Sequence, residues 1–110
     1  AKYFKENRPN FNVLFIAFAA EEAGLKGSEF YVQHPVYPLN KMDFLINLDI
    51  MGSGEEGVTI VNATLFEKEF QLLQEINSEG KLLSQIKSRG PAANSDHYWF
   101  TGKGVPAFFI

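Results

Sequence analysis

Glu21 and Glu22 stand side by side immediately after Phe11–Ala19, a nearly unbroken apolar run. Asp49 holds an equivalent position directly after the apolar run Phe44–Leu48. The chain has only three aspartates, and another of them, Asp96, also falls at an element boundary. In open α/β sheets, ligands bind beyond the carboxyl ends of the strands, which is where these carboxylates would gather. Three or more carboxylates brought together repel one another unless a cation or a proton neutralises them. A divalent metal is the economical answer. A carboxylate adjacent to a ligand carboxylate is also well placed to take a proton from water. The chemistry indicated is metal-assisted hydrolysis, set against the plainer reading of a solvated or structural acidic cluster.

Two other motifs favour their plainer readings. Gly52-Ser53-Gly54-Glu55-Glu56-Gly57 has the G-x-G-x-x-G spacing of a dinucleotide loop. Such a loop must lead into a helix whose N-terminus meets the pyrophosphate, but Val58-Thr59-Ile60-Val61 is strand-like. Glu55 and Glu56 would also put negative charge where phosphate should sit. A tight β-turn is expected there. Asn62-Ala63-Thr64 is formally a glycosylation acceptor, but Thr64 also heads a capping box with Glu67.

The elements that must position the carboxylates follow from the hydrophobic pattern. Ala1–Glu6 reads as the end of a helix, stopped by Asn7-Arg8-Pro9-Asn10. Phe11–Ala19 reads as a strand buried on both faces, as in a parallel sheet covered by helices. Ser28 is placed to cap a short helix through about Gln33. Phe44–Leu48 and Gly57–Val61 read as further strands. Thr64 is expected to open the longest helix, from Leu65 to about Ser78, with Gly80 ending it. Phe66, Phe70, Leu73 and Asn77 mark its inner line, widened by Leu65, Leu72 and Ile76. Ser95 or Asp96 caps a short helix through about Thr101, and Val105–Ile110 is the final strand. Strands alternating with helices define an α/β fold with a mainly parallel, mixed sheet flanked by helices.

Composition bounds the rest. The 110 residues are 45% hydrophobic and include eleven Phe, which excludes a disordered chain and allows one domain. A formal charge of −3 is the wrong sign for a general nucleic-acid binder. No stretch has the length of a membrane span, and the first ten residues have no signal-peptide pattern. Zero Cys rules out disulfides, thiolate metal sites and a thiol nucleophile. The start at Ala1 and the stop within the apolar run Ala107-Phe108-Phe109-Ile110 read as those of a piece of a longer protein.

Three segments carry a resemblance. Phe15–Ser28, containing Glu21-Glu22-Ala23-Gly24, resembles the Glu-Glu segment of the M28 family of zinc aminopeptidases. Asn47-Leu48-Asp49-Ile50-Met51-Gly52 resembles that family's ligand strand. Ser95-Asp96-His97-Tyr98-Trp99-Phe100 with Gly104-Val105-Pro106-Ala107 resembles its Ser-Asp-His…Gly-Val-Pro-Ala segment. They occur in the family's order, with 27 positions from Glu22 to Asp49.

The resemblance implies that residues 1–110 are a truncated portion of a single peptidase domain. It implies two zinc ions in the parent protein, with Glu22 ligating one and Asp49 the other. Glu21 would be the general base that activates water, and Asp96 a residue orienting the ligands or the substrate. The implied reaction removes the N-terminal residue of a peptide substrate. The family's site also needs a His and a bridging Asp before the Glu-Glu segment and a His after the last strand, none of which lies in residues 1–110. His97 sits beside the site in that family without ligating zinc, and His34 in its loop is a weaker candidate still. The isolated piece is therefore expected to be inactive and, with apolar surface bared, to self-associate. Alternatives are a glutaminyl cyclase-like acyltransferase and a non-catalytic peptidase-like binding domain. The resemblance favours a secreted or periplasmic setting.

Overall fold

A computed structural model describes residues 1–110. In chain order the elements are α1 (Lys2–Glu6), α2 (Lys26–Gln33), a 3-10 turn (Leu39–Lys41), β1 (Leu45–Asn47) and β2 (Val58–Ile60), followed by α3 (Glu67–Gly80), β3 (Ile86–Ser88), α4 (His97–Gly102) and β4 (Ala107–Phe109). Strand β1 pairs parallel with β4, Leu45 opposite Ala107, and β2 pairs parallel with β3, Val58 opposite Ile86. A single antiparallel bridge, Val61 to Phe109, links the two pairs. The architecture is α/β with a mixed, mainly parallel arrangement, as the alternating pattern predicts.

Consecutive strand residues point to opposite faces, and this divides the core in two. Phe44 and Phe108 pack on one side with Ile60, Ala63 and Phe70, which brings α3 onto that face. Leu45 packs on the other side with Val32, Phe100 and Val105, which seats α2 and α4 there. Edge-to-face contacts reinforce the first group: the rings of Phe44 and Phe108 lie 4.9 Å apart at 71°. Phe100, fully buried, holds the second, with Phe18 and Tyr31 against it. No helix is long and apolar enough to cross a membrane.

Four expectations need correction. Phe11–Ala19 forms no strand: it is extended chain without a ladder partner, and Phe11, Val13, Leu14 and Phe15 are exposed. Its apolar character is real, but no strand of this chain lies beside it to take its backbone hydrogen bonds. Thr64 caps nothing. Asn62, at φ 68°, turns the chain, and its carbonyl accepts from Leu65 N–H and Phe66 N–H, so α3 begins at Glu67. That helix runs through Gly80 and ends on Lys81 in the left-handed conformation. Ser28 lies inside α2 rather than ahead of it; its buried hydroxyl donates to the Leu25 carbonyl at 3.1 Å.

The plain reading of the glycine-rich segment holds. Gly57 N–H donates to the Gly54 carbonyl at 2.9 Å, closing a tight turn that leads into β2.

Candidate functional site

The Glu21–Glu22 pair rides on a tight turn between the extended Phe11–Ala19 segment and α2. The Glu21 carbonyl accepts from Gly24 N–H and Leu25 N–H, while Lys26 and Gly27 N–H groups donate back to Ala20 and Ala19. Gly27 is required here because a Cβ at that position would run into the Ala19 carbonyl. Ala20, just before the pair, takes φ 56°, a conformation costly for a residue with a side chain. Glu21 is half-buried and Glu22 is exposed.

Asp49 continues β1 beyond its C-terminal end. Its N–H donates to the Ile110 carbonyl, and Ile110 N–H donates to Asn47, so the β1–β4 ladder runs to the site. Ile50, which follows, adopts φ 52°, a genuine outlier for a β-branched residue. Left-handed residues thus flank both carboxylate segments. Such strain persists only where the surroundings impose it, and it clusters at working sites.

The Asp49 side chain is held by a short relay. Ser95 Oγ donates to Asp49 Oδ2 at 2.8 Å and accepts from Asn47 Nδ2 at 2.6 Å. Ser95 itself is fully buried, so Asp49 is oriented from inside the protein. Asp96 follows at the head of α4, also buried, with Oδ1 lacking any hydrogen-bond partner and no capping bond to the helix.

These carboxylates share one electrostatic neighbourhood. The Glu21 carboxyl is raised above its ordinary value, first by partial burial and then by the like charges of Glu22, Asp49 and Asp96. Glu22, Asp49 and Asp96 are therefore all near enough for their charge to be felt at Glu21. No three His, Cys, Asp or Glu side chains come together so as to hold a metal ion, so the convergence of carboxylates on a cation expected from the sequence is not reached within these residues. The donors present are carboxylate oxygens, a chemistry that suits a hard or borderline divalent cation but supplies only part of a zinc coordination shell.

His97 belongs to the scaffold. A carbonyl can only accept, so Nε2–H donates to Ala92 at 2.9 Å and the ring is the tautomer with Nδ1 bare. The imidazole stacks on Phe109 and is almost fully buried, and burial lowers its pKa despite the Ala92 bond and the nearby Asp96 charge. His34 is exposed, stacked on Phe30 within its own helix turn. Asn62 is buried, with its amide nitrogen donating to Ala107, so the formal glycosylation motif is closed to a sugar.

What the sequence reading missed is the Asn47–Ser95 relay. The signal was present as polar residues, Asn47 and Ser95, within otherwise apolar or capping contexts, but only tertiary packing joins positions 48 apart.

Residues 1–110 match the model of Peptidase family M28, and the chain belongs to that family. Among solved structures it is similar to BSAP, a zinc aminopeptidase from Bacillus subtilis, with a TM-score of 0.60 and 24% identity. That alignment covers 84% of this chain and 24% of the Bacillus chain, so this chain spans about a quarter of that protein's length. At this identity the likeness establishes the zinc aminopeptidase fold. A search of curated proteins gave no match.

Proposed function

We propose that residues 1–110 are part of one peptidase domain and supply the carboxylate side of a zinc centre in an aminopeptidase. Membership of a peptidase family makes the reaction class hydrolysis of peptides; removal of the N-terminal residue and the use of two zinc ions are our reading. The observation that carries it is the negative charge of Glu22, Asp49 and Asp96 felt at Glu21, whose carboxyl is held above its usual pKa. A carboxylate cluster of this kind costs stability unless its charge is met by a cation.

In this reading Glu22 and Asp49 are ligands, each to one ion, and the remaining donors lie outside these residues. Zinc, when bound, supplies Lewis acidity toward the scissile carbonyl and lowers the pKa of water. Glu21 takes the proton from the attacking water and passes it to the leaving amine. Its raised pKa brings it closer to the value a proton shuttle needs near neutrality. Ser95 fixes the free rotation of Asp49, and Asp96 orients the ligands or the substrate amine. The chain alone offers two of the three or four protein donors a stable zinc site wants, so alone it should bind zinc weakly and not turn over.

The test separates the adjacent glutamates in the complete zinc-loaded enzyme that contains this chain. Glu21→Gln keeps shape and removes proton acceptance, so kcat should fall by about 10²–10⁴-fold with zinc content unchanged. Glu22→Ala should lose zinc, and activity with it. Metal analysis beside steady-state kinetics decides. Near-normal kcat in the first variant, or full zinc in the second, would falsify the role assignment.

A further inference from the structure

The cleft at Asp49 contains a cation that the hydrolytic reading does not use. Asp49, Arg89 and Asn94 line a cavity of about 240 Å³, with Met51, Val58 and Phe109 among its apolar walls. Arg89 directly follows β3, and its N–H donates to the Ile60 carbonyl at 2.9 Å, so the sheet and not a loop fixes its backbone. Its guanidinium has no carboxylate partner: the one salt bridge of the chain joins Lys26 to Glu29. Arg89, solvent-exposed and without an ion-pair partner, thus lines the same cavity as a residue of a site otherwise dominated by negative charge.

The size and lining select a ligand. Such a cavity has room for one amino-acid side chain, and its apolar walls favour a hydrocarbon stem. A guanidinium presents planar paired donors that fit a carboxylate. Asn94 adds amide hydrogen-bonding capacity at the same cavity. We propose that this cavity is a specificity pocket for a carboxylate borne by a residue flanking the cleaved bond, with Arg89 as its recognition residue. The inference rests on the aminopeptidase reading of Glu21, Glu22 and Asp49. Two positions can present that carboxylate: the glutamyl-type side chain of the released N-terminal residue, or that of the residue after it.

The experiment uses the complete zinc-loaded enzyme and ratios between isosteric substrates. A carboxylate–guanidinium contact should raise kcat/KM for Glu-Leu over Gln-Leu, or for Leu-Glu over Leu-Gln, by about 10- to 100-fold. The responding pair identifies the side of the bond. Arg89→Ala should collapse that ratio toward unity, and Arg89→Lys should retain part of it. Calorimetric binding of free glutamate against free glutamine gives a readout without turnover, with the same Arg89-dependent preference expected. A wild-type ratio near unity for both pairs, or a ratio that Arg89→Ala leaves intact, overturns the pocket assignment. If no peptide is cleaved yet glutamate still binds in preference to glutamine through Arg89, the pocket stands and the peptidase reading falls.

Discussion

Ser95 shows how one hydroxyl ties the interior to the site. It is fully buried, donates to Asp49 Oδ2 and accepts from Asn47. Ser95→Ala leaves the Asn47 amide and one Asp49 oxygen without that partner, at a cost of about 1–3 kcal/mol in a urea unfolding curve. Zinc affinity of the complete enzyme should drop by about 10- to 100-fold in a competition titration, the usual penalty for losing a group that orients a ligand. His97 makes a different prediction. Its folded pKa lies below its ordinary 6.5 because burial penalises the imidazolium. Between the two values the unfolded chain binds the extra proton, so stability is full above pH 6.5 and falls as pH drops toward the folded pKa. Glu21 works in the opposite sense, its raised pKa favouring the folded state at acid pH and losing that contribution as pH rises. Subtracting the pH–stability curve of His97→Gln from that of the wild type isolates the histidine. The difference should tilt below pH 6.5, and a flat difference would show that His97 is not held neutral by burial.

The elements carrying the site were legible where local chemistry decides them and obscure where a partner decides. The strand before Asp49, the turn at Gly54–Gly57 and the helix over His97–Gly102 follow from apolar runs, glycines and boundary residues. Phe11–Ala19 did not, because an apolar run reports a wish to be buried and not the presence of a neighbouring strand. Thr64 failed as a cap because Asn62 enters the left-handed region and takes the next two amides onto its own carbonyl. Strand β3 has three residues and an exposed Lys87-Ser88, too little periodicity to read. The carboxylates at Glu21, Glu22, Asp49 and Asp96 were legible as types and positions; their shared field and the Ser95 relay required the fold. The turn that carries Glu21 and Glu22 yields a prediction at this scale. Gly27→Ala drives a Cβ into the Ala19 carbonyl, backbone against backbone, so the turn must shift. The expected loss is about 1–3 kcal/mol of unfolding free energy, read from a urea unfolding curve. Gly102→Ala is the control, since its Cβ would meet nothing within 4 Å. Equal effects from the two substitutions would mean the close approach at Ala19 has no structural role.

At the scale of the whole molecule the chain exposes more than a folded monomer of its mass normally does. Its accessible surface is 7957 Å² for 12.4 kDa, against about 6,100 Å² from the usual scaling. Its radius of gyration is 14.5 Å, against about 13 Å for a compact chain of this length. Only 14 of 110 residues are buried, which leaves Phe11, Phe15, Ile46 and Leu48 each more than 60% exposed. The surplus surface, roughly 1,800 Å², is the size of an ordinary protein–protein interface. Ile46 lies in β1 and Leu48 just beyond its end, and β1 pairs with β4 alone, so exposed apolar side chains adjoin an unpaired strand edge. Contiguous apolar patches and bare edges are the two standard routes to association. Residues 1–110 in isolation should therefore form dimers or larger species in light scattering at tens of micromolar. Sulfate should strengthen the association and low urea weaken it, as befits apolar burial. Phe15→Lys combined with Ile46→Lys should shift the distribution toward monomer, because lysine blunts both the patch and the edge. A wild-type chain that scatters as a clean monomer across that range would mean the exposed phenylalanines and the β1 edge are satisfied within the molecule, and the association argument would be lost.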